Sequence, residues 1–155
     1  MGALPNRAVR VGQAIDVDAN SAFSSIGKVD QNGHRSAANP RLLKAFNAMT
    51  ASGRIAAWFW GHEHTLSICE PFGGLERGRC LGHGAVPVSI LDKLYAPIPG
   101  LNEIPTIVAN TQLQRQGSVY AHGYAVLAFC GDRCSAEYYQ DLDGQAALVH
   151  SETIE

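Results

Sequence analysis

The stretch Ile55-Ala-Ala-Trp-Phe-Trp60, followed by Gly61-His62-Glu63-His64, decides how the rest of the chain is read. Six consecutive apolar residues, rich in aromatics and bounded by Gly53 and Gly61, predict a buried strand rather than a second helix. A glycine at the end of that strand lets the backbone turn or approach a ligand closely. Side chains two apart on extended backbone point to the same side, so His62 and His64 can face one site. Imidazole is a common ligand for zinc, manganese and iron. Two imidazoles leave a metal site short of one or two further donors, so a chance pair of exposed loop histidines is the competing reading. Trp58, Phe59 and Trp60 read as sheet core, because no basic groove accompanies them as a base-stacking platform requires.

Upstream lies the clearest helix signal. Asn39 can cap, Pro40 suits the first helical position, and Leu42, Leu43, Phe46 and Met49 follow helical spacing, with Gly53 placed to terminate. These predict a helix over about 40–51. The polar, turn-rich run Lys28–Asn39 reads as a loop, and residues 1–20 show no clean period.

Downstream, Leu66–Cys69 reads as a return strand, and Pro71–Gly84, with five glycines, as mostly irregular backbone. Val119–Cys130, Ala136–Gln140 and Ala146–Ile154, separated by turns at 131–133 and 141–144, predict a β-meander. No internal repeat, low-complexity tract or linker is visible, so one domain is expected.

Composition narrows the classes. The chain has 155 residues, 46% of them hydrophobic and 17% charged, with a formal net charge of −2. That length and apolar content suit a folded domain, not a disordered one. The charge balance offers no footprint for nucleic acid. No apolar run approaches the ~20 residues of a membrane helix, and the opening residues lack the apolar stretch of a signal peptide, so a cytoplasmic protein is expected. Charge falls below the roughly 25% of typical soluble domains, which suggests a surface partly covered by something else. Cys69, Cys80, Cys130 and Cys134 read as reduced, mostly structural thiols.

Ala57-Trp-Phe-Trp-Gly-His-Glu-His64 resembles the Gly-His-x-His signature that closes the two-metal site of the calcineurin-like metallophosphoesterases. The likeness extends to Asn39-Pro-Arg-Leu-Leu43, to Cys69–Val88, to Gly123–Phe129 and to Ala136–Tyr139, which together resemble a bacterial branch of that family. It covers roughly residues 21–145. The resemblance implies an α/β fold, the C-terminal part of a two-sheet sandwich with a mixed sheet and flanking helices, over residues 21–155. It implies phosphomonoester or phosphodiester hydrolysis with two divalent ions, commonly manganese, iron or zinc. His62 would bind the second ion and His64 the first; the ions would hold phosphoryl oxygens and generate hydroxide.

The departures from the family pattern carry equal weight. Its Asp-x-His, Gly-Asp-x-x-Asp and Gly-Asn-His motifs do not occur in this chain, whose one Gly-Asp pair is Gly131-Asp132. A histidine expected before Ser21-Ala-Phe23 is replaced by Ile15–Asn20, in which Asp16 or Asp18 are the available hard-metal donors. The expectation is therefore an inactive C-terminal portion, preceded by a non-matching segment 1–20. It acts on a phosphoester only if a missing half completes it, from another chain or a second copy. The alternative is a non-catalytic interaction remnant that docks to a partner, and a third reading is an unrelated single-metal enzyme with a distant third ligand.

Other residues are weighed on their settings. His83, between Gly82 and Gly84, reads either as substrate-facing or as a structural hydrogen-bonder. Arg77 and Arg79 read as a solvated loop pair or, less favoured, as phosphate ligands. His34 reads as solvated, and His122 and His150 as exposed or satisfied within a sheet.

Overall fold

The computed structural model describes residues 23–29, 35–38, 40–51, 55–96 and 104–155, so the expectations for residues 1–20, Asn39 and His34 lie outside the described residues. The fold is mixed α/β and dominated by strands. Two strands, β1 (Phe23–Val29) and β2 (Arg35–Ala38), pair antiparallel, with a register shift between Phe23 and Lys28. This corrects the loop reading for Lys28, Val29 and 35–38, where backbone pairing prevails over a polar, turn-prone composition; residues 30–34 lie outside the described residues.

Helix α1 spans Pro40–Ala51, as its spacing predicts. It has no acidic residue in its first turn and no basic one in its last, so charge does not complement its dipole. Its anchor is packing. Phe46 is buried against Trp58, ring centroids 5.6 Å apart, with Leu43 and Met49 beside it.

The apolar run contributes β3 (Trp58–Trp60), preceded by Ile55–Ala57, buried but outside the strand. β4 (Leu66–Ile68) follows, yet it does not return against β3. Instead β5 (Gly78–Leu81) lies between them, parallel to β3 and antiparallel to β4. The region expected to be irregular therefore supplies the central strand of a mixed sheet. Alternation sends Trp58, Trp60 and Cys80 toward α1, while Phe59, Leu66 and Ile68 enter a second core with Ala136, Tyr138 and Ile154.

The partners in that second core belong to an antiparallel meander: β8 (Gly123–Cys130), β9 (Arg133–Leu142) and β10 (Gln145–Ile154), in the order β10-β9-β8. Gly131 and Asp143-Gly144 adopt positive φ at its two turns, as tight hairpins require. A short hairpin, β6 (Arg115–Gln116) with β7 (Val119–Tyr120), precedes it. The layers thus run from α1 through the mixed sheet to the meander. Cys69, Cys80, Cys130 and Cys134 are free thiols, and Cys130 is the exposed one. Among the described residues no helix is long and apolar enough to cross a membrane.

A buried ion pair joins the two sheets. Arg79 on β5 faces the meander and grips Glu152 on β10 through two bonds, Nε to Oε1 at 2.7 Å and Nη2 to Oε2 at 2.8 Å. Its Nη1 donates to the carbonyls of Cys69 and Gly78, both at 2.8 Å. Tyr138 donates its hydroxyl to the same carboxylate at 2.6 Å, and Arg77 approaches it at 3.4 Å. The two arginines are therefore not a solvated loop pair: Arg79 is buried, and both turn toward Glu152 instead of an open phosphate site.

Candidate functional site

The backbone leaves β3 at Gly61 and bends over residues 62–65 before entering β4. Burial alternates along this bend. His62 and His64 are exposed, while Glu63 and Thr65 are buried, at 4% and 2% exposure. The two imidazoles are exposed on either side of a buried glutamate, on a bend and not on the extended backbone that the two-residue argument assumes. The unusual dihedral falls one residue later than the glycine suggests. His62 holds φ at +73°, whereas Gly61 is outside the positive-φ region and has open space where a Cβ would stand. Few non-glycine residues adopt that region, histidine more often than most, and such backbone strain clusters at functional positions.

Several contacts hold the bend in place. The Thr65 amide donates to the Glu63 carbonyl at 2.7 Å, and the Gly82 amide to the Thr65 carbonyl at 3.1 Å. The Thr65 hydroxyl reaches the Tyr95 hydroxyl at 3.3 Å, and Tyr95 in turn donates to the Leu66 carbonyl at 3.0 Å and accepts from the Leu113 amide at 3.1 Å. The Cys80 thiol sits 3.4 Å from the Glu63 carbonyl. Burial pushes that thiol's pKa well up, so it packs as a neutral group.

Gly82 lies so close to the bend that a Cβ there would collide with the Glu63 carbonyl. It opens a single 3-10 turn, Gly82–Gly84, that carries His83. No family model, curated protein or solved structure matches this chain. The assignment of a role therefore rests on the residues themselves.

His83 is 2% exposed, with Nε2 3.1 Å from the Tyr139 carbonyl on β9. Of its two sequence readings, hydrogen-bonding within the fold is the one for which the structure supplies a partner. His122 is half-buried just before β8, and His150, on β10, packs against Tyr138 with centroids 5.8 Å apart.

Among the described residues, no group of three or more His, Cys, Asp or Glu is placed to hold a metal ion. His62 and His64 supply two donors of the kind that zinc, manganese and iron accept. Two imidazoles by themselves are fewer donors than either a one-metal or a two-metal centre uses.

Sequence reasoning identified the histidine pair from the strand–glycine–His-x-His order. It missed the Arg79–Glu152–Tyr138 cluster, whose one local signal is an arginine flanked by buried strand residues in Gly78-Arg-Cys-Leu81.

Proposed function

We propose that this chain carries the histidine pair of a metal-dependent phosphoester hydrolase, with His62 and His64 as ligands to manganese, iron or zinc. We further propose that the chain alone does not turn over a phosphoester. The bend carries the reading: His62, held at positive φ, and His64 stand exposed at the end of a buried strand. The likeness of Trp60–His64 to the Gly-His-x-His signature supports the same chemistry. A bound divalent ion would supply Lewis-acid binding of phosphoryl oxygens and a water acidified to near neutral pH. The chain's own part is positional: the Thr65–Tyr95 and Gly82–Thr65 hydrogen bonds anchor the backbone beside the two rings.

The test is Mn²⁺ titration, followed by loss of the aqueous-ion electron paramagnetic resonance signal. His62→Ala and His64→Ala should each weaken binding at least tenfold. His62→Gly should weaken it equally while moving stability by no more than about 1 kcal/mol, because relief of the strained φ offsets the entropy a glycine adds to the unfolded chain. Equal binding by wild type and both alanine variants would sink the assignment. Mn²⁺-dependent hydrolysis of bis(p-nitrophenyl) phosphate, lost on His62→Ala, would overturn the claim of inactivity.

A second reading is a docking role, favoured by the outer face of the meander. Tyr124, Val126 and Leu148 are exposed there, and Tyr124 stacks on Tyr139 at 5.2 Å. β8 forms one edge of its sheet and carries no charged residue along its length. Uncharged edges are templates for pairing with another strand, and two copies of β8 would meet without like-charge opposition. The occupant proposed is thus a second copy of this chain. Light scattering should then report a monodisperse dimer that Val126→Lys returns to monomer; a wild-type monomer at high concentration removes this reading.

A further inference from the structure

We infer that neutral His83 latches the Gly82–Gly84 turn, and with it the bend bearing His62 and His64, to the meander, and that a second proton on its ring releases the latch. The inference is independent of whether the two exposed histidines bind a metal.

The geometry assigns the tautomer first. A carbonyl only accepts, so the contact with Tyr139 requires the proton on Nε2. Nδ1 then carries a lone pair, and it is buried with no hydrogen-bond partner among the described residues. An imidazolium must donate from both nitrogens. A second proton on Nδ1 would place a charged donor in the interior facing no acceptor, which burial penalises strongly.

The surroundings offer that cation no relief. The titratable and charged groups on the elements packed around the turn include His62, Glu63 and His64 on the bend, Arg79 and Cys80 on β5, His122 ahead of β8, Tyr124 on β8, and Glu137, Tyr138, Tyr139 and Asp141 on β9. Of these, His122 is the one whose charge bears on His83, and it opposes a second positive charge. Burial and His122 together hold the His83 ring below its ordinary pKa of 6.5, against the opposing pull of the Tyr139 carbonyl.

The turn is also a mechanical junction. Its first residue is bonded to the Thr65 carbonyl and packed on the Glu63 carbonyl. Its last is packed on β8, where a Cβ on Gly84 would stand 2.7 Å from the Gly123 carbonyl. His83 lies between these two attachments, with its ring against Gly123 and its hydrogen bond to β9. Expelling the ring therefore loosens both sides.

The sign follows from the lowered pKa. The unfolded chain takes up the proton near pH 6.5, before the folded one does, so the stabilising effect is complete at neutral pH and is lost as pH falls. Between the two pKa values, each pH unit downward multiplies the unfolding equilibrium by up to tenfold.

The experiment follows the His83 ring nitrogens by long-range ¹H–¹⁵N NMR across pH 4.5–8, alongside unfolding equilibria of wild type and His83→Gln. Glutamine keeps a donor at the Nε2 position and does not titrate. Expected are an Nε2–H tautomer at neutral pH, a folded midpoint below 6.5, faster Gly82 amide exchange on acidification, and a shallower pH slope in the variant. A midpoint at or above 6.5, or matching slopes in the two proteins, overturns the latch. If His83→Gln does not fold, the wild-type ring titration and Gly82 exchange decide alone.

Discussion

Glu152→Gln is expected to lower stability by about 3–5 kcal/mol, the cost of breaking a buried ion pair by removing one partner. The substitution leaves Arg79 charged, at 4% exposure, with its counter-charge and one of its two acceptor oxygens gone. It also removes the carboxylate that accepts a hydrogen bond from the Tyr138 hydroxyl at 2.6 Å. Replacing Arg79 and Glu152 together by methionine is expected to cost far less, since an apolar pair of similar volume often substitutes for a buried salt bridge without loss. Burial by itself would raise the Glu152 pKa, but the hydrogen bonds from Arg79 and Tyr138 and the arginine's charge outweigh it and hold the carboxyl below its usual 4.5. A lowered carboxylate pKa gives stability that is complete above that ordinary value and lost as pH falls through the folded one. Urea unfolding at pH 7 and pH 3 checks both points. Glu152→Gln should flatten the acid loss, and a change under 1 kcal/mol at pH 7 would show that the cluster does not join the sheets.

Gly123→Ala should be nearly as damaging, at about 3 kcal/mol, the upper end of the range for overpacking. A Cβ at Gly123 would collide with the Tyr139 carbonyl and lie 2.8 Å from Cδ2 and Nε2 of His83. One of those neighbours is backbone within a strand ladder, and the other is a buried ring, so neither gives way cheaply. The comparison is Gly61→Ala, whose Cβ meets nothing within 4 Å and whose φ is not positive. It should move stability by no more than about 0.5 kcal/mol. Thermal unfolding of the two variants separates a glycine required by packing from one that is not. Comparable losses in both would show that the contact at Gly123 is not the cause.

Where structure is encoded locally, it was legible. The helix over 40–51 follows from Pro40 and the spacing of its apolar residues, and the meander follows from turns set between apolar strands. The pairing order of β3, β5 and β4 was hidden, because the glycines around Gly78-Arg-Cys-Leu81 disguise a strand whose neighbours come from elsewhere in the chain. Arg79 reads as one of a solvated loop pair for a related reason: its partner, Glu152, lies 73 residues further on. The sequence names the histidine pair by residue type and spacing, and the structure shows both rings exposed. The pair's backbone was not legible, since a sequence reader assigns the strained position to Gly61 and the structure assigns it to His62. The β1–β2 pairing is not legible because Lys28–Asn39 has the composition of a loop.

The insertion of β5 between β3 and β4 also orders events in time. The two strands flanking the histidine bend are adjacent in sequence, yet each bonds to β5 and not to the other. Local closure, such as the Thr65–Glu63 hydrogen bond, does not by itself fix the bend, because its two arms are bridged by residues 78–81. Such non-local pairing pays its loop-closure entropy before any contact rewards it, and so it forms slowly. The histidines should therefore acquire their native spacing only after the central strand docks, as one of the later steps of folding. A nascent chain that has emerged only through residue 70 would carry both rings in its sequence but not yet in their folded arrangement.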